Sequence, residues 1–422
     1  MLKSKIGDSR GLWTLITAII TAPIAFIIWV FRDINAKQQI ENQRKDINLK
    51  EFQKIAEWVS GLHLIEDEVT EKIVNQTEQE KTRKYTQQSE HLSISTFSKK
   101  DGAVGLQIAA IYNLLPFYRG EHGESFKKPA LNLLLSAWLA LQQEAVRYLE
   151  NFDVLTNPQE FDDIVEKIQE NGRSPIGIAI THVLLADGGG HLVQYPEVFP
   201  NLCLAGMDFH LPGLDKNVLS LFINIKNCSG INLIAANLHS ARLDGARLVR
   251  ARLDGARLYG ARLVRARLDG ASLVRASLVR ASLVRASLVR ASLDGARLVR
   301  ASLDGARLVR ARLDGARLDG ARLVRARLDG ARLERARLDG ARLERARLDG
   351  AIFTYNTDSD INWADLKSKG GVILYFTASE RKRDIRMQLV KAEAKFFHYV
   401  LDNIDIKKTQ QENPDWKIFI IK

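Results

Sequence analysis

Cysteine is nearly missing from this chain: Cys203 and Cys228 are the only two among 422 residues. That excludes a disulfide framework and favours a reducing compartment. Their separation does not suit a metal site, so both read as small core residues. Catalytic signatures are missing too. The chain has no Walker loop, dinucleotide fingerprint, HExxH helix or nucleophile elbow. His63, His122, His182 and His210 have no partner at ligand spacing, and Glu121 and Glu124 beside His122 read as helix-start residues. The one glycine cluster, Asp187 to His191, lacks the Lys-Ser/Thr of a phosphate loop and reads as a junction. No catalytic, cofactor-binding or metal residue is expected, and no enzyme. Global disorder is excluded as well, because 46% of the residues are hydrophobic.

What the chain has in excess is arginine, and nearly all of that excess lies in one segment. Lys and Arg total 62 against 50 Asp and Glu, a net charge of +12. The 110 residues from Ala241 to Gly350 form 22 contiguous five-residue units, with 27 arginines against 12 acids, a net of +15. The remainder holds 35 basic and 38 acidic residues, a net of −3. Basicity belongs to the repeat alone.

Each unit begins with Ala, has Arg or Ser second and Leu third, and ends mostly in Asp-Gly or Val-Arg. A five-residue period makes no apolar stripe on an α-helix, and on a strand it sends successive leucines to opposite faces. Both problems vanish if each unit is a short extended stretch followed by a corner. Ala and Leu then point inward and the second residue points out. Asp-Gly suits a corner that needs positive φ at its second residue. Val-Arg does not, so those corners are expected to use another turn with both φ values negative. Several units close a coil, and coils stack about 4.8 Å apart.

These units resemble the pentapeptide-repeat family, which implies a right-handed quadrilateral β-helix with four units per coil. The pattern continues less perfectly upstream at Ile231 and Ala236, and before them at Leu202, Met207, Pro212 and Asn217. The leucine spacing from Leu219 to Leu238 is one residue short of four units, so a register break is expected there. The solenoid is placed at 202–355. With four units per coil, the faces starting at 241, 246, 251 and 256 sum to +5, +5, +1 and +4. Two arginine ladders then form candidate anion or partner contacts: Arg297, Arg317 and Arg337 on one face, and Arg307, Arg327 and Arg347 on another. Family members that inhibit DNA gyrase resemble DNA through acidic faces, and this chain departs from them in sign. Tyr259 is the one aromatic in the 22 units, so nucleic-acid binding would be phosphate-based and non-specific. Four consecutive Ala-Ser-Leu-Val-Arg units at 271–290 point to recent duplication.

Residues 12–31 carry no charge and match a bilayer core in length, with Trp13 and Trp29 near the ends. They read as a single-pass transmembrane helix after a short tail, 1–11; a cleaved signal peptide and a buried core helix are the rivals. The positive residues that follow put the bulk of the chain in the cytoplasm. Residues 32–100 read as a helical stalk and linker, with a weak coiled coil through Ile40 and Ile47 as a rival, and 101–190 as a small helical domain. The stretches 31–52 and 106–134 resemble cyanobacterial membrane-anchored pentapeptide-repeat proteins, which implies a cyanobacterial source and this architecture. Residues 356–422 read as a small α/β cap: a strand at 371–377, an amphipathic helix at 378–404 and a strand at 416–421. Homodimerisation through this region is the rival. The chain is thus read as multi-domain and non-enzymatic, a membrane-anchored scaffold with a protein partner along a solenoid face. The alternative is a basic surface for nucleic acid or anionic lipid headgroups.

Overall fold

The computed structural model describes residues 7–60, 68–69, 83–84, 99–149, 157–354 (224 and 226 apart), 362–374, 384–391, 396–402, 406–414 and 416–421. Side chains are described for 30–60, 102–149, 157–353 (224 and 226 apart), 362–373 and 407–414.

The first helix, α1 (Gly7–Val59), runs through both the apolar span and the predicted stalk. The side chains of the span lie outside the described residues up to position 29. Among the described residues, no single helix is long and apolar enough to cross a membrane. The far end of α1 does not stand free. Ile55 and Val59 are buried, Phe52 lies 5.3 Å from the Phe117 ring, and Asn48 donates to the His122 carbonyl at 2.9 Å. Ile40 and Ile47 are exposed. Most of the predicted linker lies outside the described residues, apart from the short antiparallel pair β1 (Glu68–Val69) and β2 (Arg83–Lys84).

Helices α2 (Lys99–Asn113), α3 (Leu115–Arg119), α4 (Glu124–Tyr148), α5 (Pro158–Arg173), α6 (Pro175–Leu184) and α7 (Gly190–Val193) complete the helical domain. On α4, Leu131, Leu134, Trp138, Gln142, Ala145 and Val146 are buried at helical spacing, while Leu139 is exposed. Gln142, the polar interruption on that face, donates to the Ile168 carbonyl at 3.1 Å and so ties α4 to α5. Ser174 caps α6 by accepting from the Gly177 N–H at 3.1 Å, and Pro175 fills its first turn without losing a bond. Asp187 of the glycine cluster receives a fork from Arg119 at 2.8 and 2.9 Å and lies 3.2 Å from His191. The Arg119 guanidinium holds the Asp187 carboxyl below its usual range, with a smaller contribution from His191. The cluster is a structural junction.

The solenoid follows. Residues i and i+20 pair as parallel bridges from Asn232↔Arg252 to Arg327↔Arg347, so four units make a coil. Every first-position Ala and third-position Leu from Ala241 to Leu333 is buried. The second residue donates to the preceding coil (Arg262 to Ala241, 2.9 Å) and the third to the following one (Leu243 to Arg262, 2.7 Å). The next Ala closes the corner back onto Leu (Ala246 to Leu243, 3.1 Å).

The corners correct one expectation. Val-Arg corners adopt the same left-handed residue as Asp-Gly corners: φ is 57° at Arg250, 57° at Arg285 and 59° at Arg325, against 66° at Gly305. Each such Arg pays about 1 kcal/mol for the left-handed region. The stack imposes this, because the fifth-position N–H must meet a carbonyl of the next coil whichever residue stands there, as Arg285 meets Asp304 at 2.9 Å and Gly255 meets Val274 at 2.9 Å.

The register break is larger than the leucine spacing implies. Cys203 pairs with Asn232 and Asp208 with Asn237, so the first coil is nine residues longer than the rest. A 3-10 helix, Lys216–Ile223, takes up part of the excess, and the predicted units at Pro212 and Asn217 do not form. Val218, Leu221 and Phe222 still reach the core. Cys228 is buried and Cys203 nearly so; burial pushes the Cys228 thiol up to about 12 and the Cys203 thiol in the same direction.

At the far end β3 (Arg332–Leu333), β4 (Ile352–Thr354) and β5 (Val372–Leu374) stack in parallel, one rung beyond the residue where the repeat stops. Helix α8 (Trp363–Ser368) buries Leu366 beside this last rung. The predicted helix at 378–404 is absent. Strands β6 (Asp384–Lys391) and β7 (Phe396–Asp402) replace it, joined by α9 (Ile406–Glu412) and β8 (Trp416–Ile421) in an antiparallel sheet of order β7-β6-β8. Register pairs Leu389 with both Phe397 and Ile418, and Met387 with both Tyr399 and Ile420. Ile385, Met387 and Leu389 alternate with Arg386 and Gln388, a period-two signal that outweighs the helical spacing read there.

Candidate interaction faces of the solenoid

The fourth and fifth residues of each unit decide what each face presents. The fourth-position N–H lacks a place in the coil ladder. Where the preceding coil carries Asp at that position, the carboxylate accepts it: Val264 to Asp244 at 3.1 Å, Asp314 to Asp294 at 3.1 Å, Val324 to Asp304 at 3.1 Å. The carboxylates also meet second-position arginines. Asp319 lies 3.4 Å from Arg317 and 3.3 Å from Arg337; Asp329 lies 3.3 Å from both Arg327 and Arg347. Asp244, Asp294, Asp304 and Asp314 each tie two coils together in this way and pair with an arginine of the following coil.

Both predicted ladders stack in register, Arg297↔Arg317↔Arg337 and Arg307↔Arg327↔Arg347. Four of the six are engaged by Asp319 and Asp329. Arg297 and Arg307 are exposed and have no acidic partner among the described residues. The fifth-position arginines escaped the sequence reading, which followed the second position. Among the described residues Arg250, Arg265, Arg285, Arg290, Arg300, Arg310, Arg325 and Arg345 are exposed with no acidic partner. The signal, for all but Arg345, was the Val-Arg ending, which supplies a charge without the fourth-position acid that would offset it.

One corner, between the faces that begin at 251 and 256, is covered. Helix α5 lies along it with Phe161, Val165, Ile168 and Gly172 buried, one residue per turn. Its turns follow the coils. Gly172 and Ile168 meet Gly206, Val165 meets Gly255, and Asp162 forks onto Arg275, one contact at 2.9 Å. Arg275 also lies 6.0 Å over the Phe161 ring, and Arg257 donates to Gln169 at 2.7 Å. A helical pitch of about 5.4 Å against a coil spacing of about 4.8 Å allows this match over three to four coils. Where a side chain would block the approach there is Gly: a Cβ on Gly172 would lie 2.2 Å from the Gly206 carbonyl.

Fourth-position acids of the same face are buried: Asp254 is 8%, Asp294 4% and Glu334 8% exposed. Burial pushes Asp254 and Asp314 upward. Glu334 rises to about 7, through burial first and then the neighbouring Asp314, although Arg332 pairs with it at 3.2 Å. Among the described residues, no group of three or more His, Cys, Asp and Glu could hold a metal.

Residues 227–354 match the family description "Pentapeptide repeats" in eight copies. The chain is a pentapeptide-repeat protein. Solved structures similar to it include a pentapeptide repeat protein (Rfr23) from the cyanobacterium Cyanothece 51142. That likeness has 34% identity over 23% of this chain and 62% of that one, with a TM-score of 0.20. The pentapeptide repeat protein alr5209 from Nostoc PCC 7120 matches at 35% over 24% and 84%, with a TM-score of 0.23. HetL from Nostoc sp. strain PCC 7120, involved in heterocyst differentiation regulation, matches at 28% over 39% and 86%, with a TM-score of 0.16. This pentapeptide-repeat chain therefore spans about three fifths of the first neighbour's length. No curated protein matches it.

Proposed function

We propose that the chain is a non-enzymatic scaffold, anchored to a membrane by residues 12–31, whose solenoid binds a protein partner along its length. The observation that carries the interaction role is the docked α5. The solenoid already holds an acidic amphipathic helix on its outer surface, using one coil per helical turn. Pentapeptide-repeat proteins are generally non-enzymatic structural or interaction proteins, which supports this reading. The interior is filled by Ala and Leu, leaving side chains on faces and corners as the means of recognition. The anchor rests on the uncharged 20-residue segment, and the cytoplasmic placement on the positive residues that follow it. Dimerisation through the C-terminal sheet belongs to the same proposal, since β7 and β8 are edge strands.

Membrane fractionation with an alkaline carbonate wash tests the anchor: retention in the pellet is expected, and full release removes it. Crosslinking in the native cell, with a photoreactive residue placed at Arg297 or Arg307 and another in the Leu-filled interior, tests the scaffold. A discrete protein adduct from the exterior positions alone is expected, and no adduct from any exterior position removes the interaction role.

A further inference from the structure

The seat of α5 has a recognisable make-up. Along its corner the fifth positions read Ala235, Gly255 and then Arg275: two small residues that admit a helix, then an arginine that takes its carboxylate. One unit further round, the next corner has Leu211 where the α5 seat has Gly206, and then reads Ser240, Gly260 and Arg280, in the same order and the same three coils as Ala235, Gly255 and Arg275. The other two corners differ, with Gly245-Arg265-Arg285 and Arg250-Gly270-Arg290 in those coils. Backbone conformation is shared: φ is 54° at Ser240, 63° at Gly260 and 57° at Arg280, against 58°, 64° and 55° at the α5 seat.

This second corner is open, and it carries the one aromatic column of the repeats. His239 and Tyr259 stack with ring centroids 5.0 Å apart and planes 12° from parallel. Arg280 is held ready over them, 6.0 Å from the Tyr259 ring and donating to its hydroxyl at 3.0 Å. Tyr259 is 37% exposed, and His239, Ser240 and Arg280 are exposed. Arg300, in the next coil of the same column, has no acidic partner among the described residues. In this column the fourth and fifth positions of the four coils hold no acid. Aromatic surface on an otherwise aliphatic solenoid, beside two cations, complements the apolar stripe and acidic flank of an amphipathic helix.

We propose that the corner formed by Ser240, Tyr259, Gly260, Arg280 and Arg300 is a second helix seat, which binds an acidic amphipathic helix of a partner protein in the manner of α5. This rests on the scaffold reading and names its partner's chemistry. A flat nucleic-acid or lipid contact needs no small-small-Arg order along one corner, whereas a helix laid across the coils does.

The test uses the full chain in detergent micelles and a fluorescent peptide copying residues 157–174, whose own seat is already filled. Binding is followed by anisotropy at low salt. The expected result is saturable binding that falls about tenfold or more in a Tyr259→Asp, Arg280→Glu variant. A control with two reversals elsewhere, Arg290→Glu and Arg310→Glu, which changes the net charge by more, should lose less than about twofold. A scrambled peptide of equal charge, with its acids spread around the helix, should bind about tenfold more weakly. Equal losses in the two variants, or equal binding of the scrambled peptide, would reduce the effect to net charge and overturn the seat. So would a photocrosslink from the peptide into the α5 seat rather than to Tyr259. Duplex DNA or phosphatidylserine vesicles that bind through Tyr259 and Arg280 more tightly than the peptide would also overturn it. None of these readouts needs the anchor, so carbonate release would remove the membrane reading and leave the seat standing.

Discussion

The copied coils and the first coil share one backbone ladder, yet they are specified in opposite ways. From Asn232 to Arg327 each second-position residue bridges to the one 20 further on, and a side chain's surroundings follow from its place in the five-residue unit. In the first coil, contacts occur once. Gly206 meets Gly172 and Ile168, and a 3-10 helix takes up part of the nine extra residues. Copying produces a rod; the singular contacts attach something to it. Binding specificity is therefore to be sought where the unit has been departed from, as at His239 and Tyr259.

The largest test of this contrast lies in the interior. Leu283→Ala and Leu303→Ala, both from fully buried residues one coil apart, should each cost about 3 kcal/mol in urea unfolding. Their agreement within about 0.5 kcal/mol is the sharper expectation; a wide gap would show that coils are not equivalent.

Glycines separate the two regions next. Gly172→Ala drives a Cβ against the Gly206 carbonyl and should cost about 2–3 kcal/mol, whereas Gly315→Ala meets nothing within 4 Å and should cost about 1 kcal/mol for its φ of 66°. Equal losses would mean that α5 is not seated as described.

The fourth position of the third face contrasts Ile234, buried under α5, with Glu334 in the copied coils. Because the folded-state value of Glu334, about 7, lies above its ordinary 4.5, the folded chain holds that proton more tightly. Stability should therefore fall as pH rises from about 4.5 to 7 and level off beyond. Glu334→Gln should reduce the drop in Tm between pH 5 and pH 8; an unchanged drop would assign it to other groups.

The smallest effect concerns the corners. Arg285→Gly relieves a left-handed residue and should stabilise by up to about 1 kcal/mol, partly offset by the greater freedom of Gly in the unfolded chain. Destabilisation would show that the Arg285 stem, whose γ-carbon would lie 3.5 Å from a Cβ at Gly305, contributes packing that outweighs the strain.

Much of this was legible because a period of five has few physical solutions. Ala and Leu inward and the second residue outward follow from it; the four columns of charge rest on what the family resemblance implies. The family-based expectation of four units per coil agrees with the pairing of i with i+20. What was misread came from judging residues singly. Arg at a corner argues against positive φ until the ladder around it is considered. Leucines alone show that a register breaks, but not that a 3-10 helix replaces two units. In the tail, Phe396, Phe397, Val400 and Leu401 fit a helix as well as a strand, and only pairing with β6 decides between them. The α5 seat was hidden because small residues at Ala235 and Gly255 look like ordinary members of the repeat.

The 20-residue coil also acts as a reading frame. Gain or loss of one unit would turn everything beyond it by a quarter revolution and deal every downstream arginine, aspartate and aromatic onto a neighbouring face. Whole-coil changes alone lengthen or shorten the rod while keeping its columns in line. The oversized first coil obeys the same arithmetic, since its nine surplus residues leave the path without rotating it, and Cys203 still stands under Asn232.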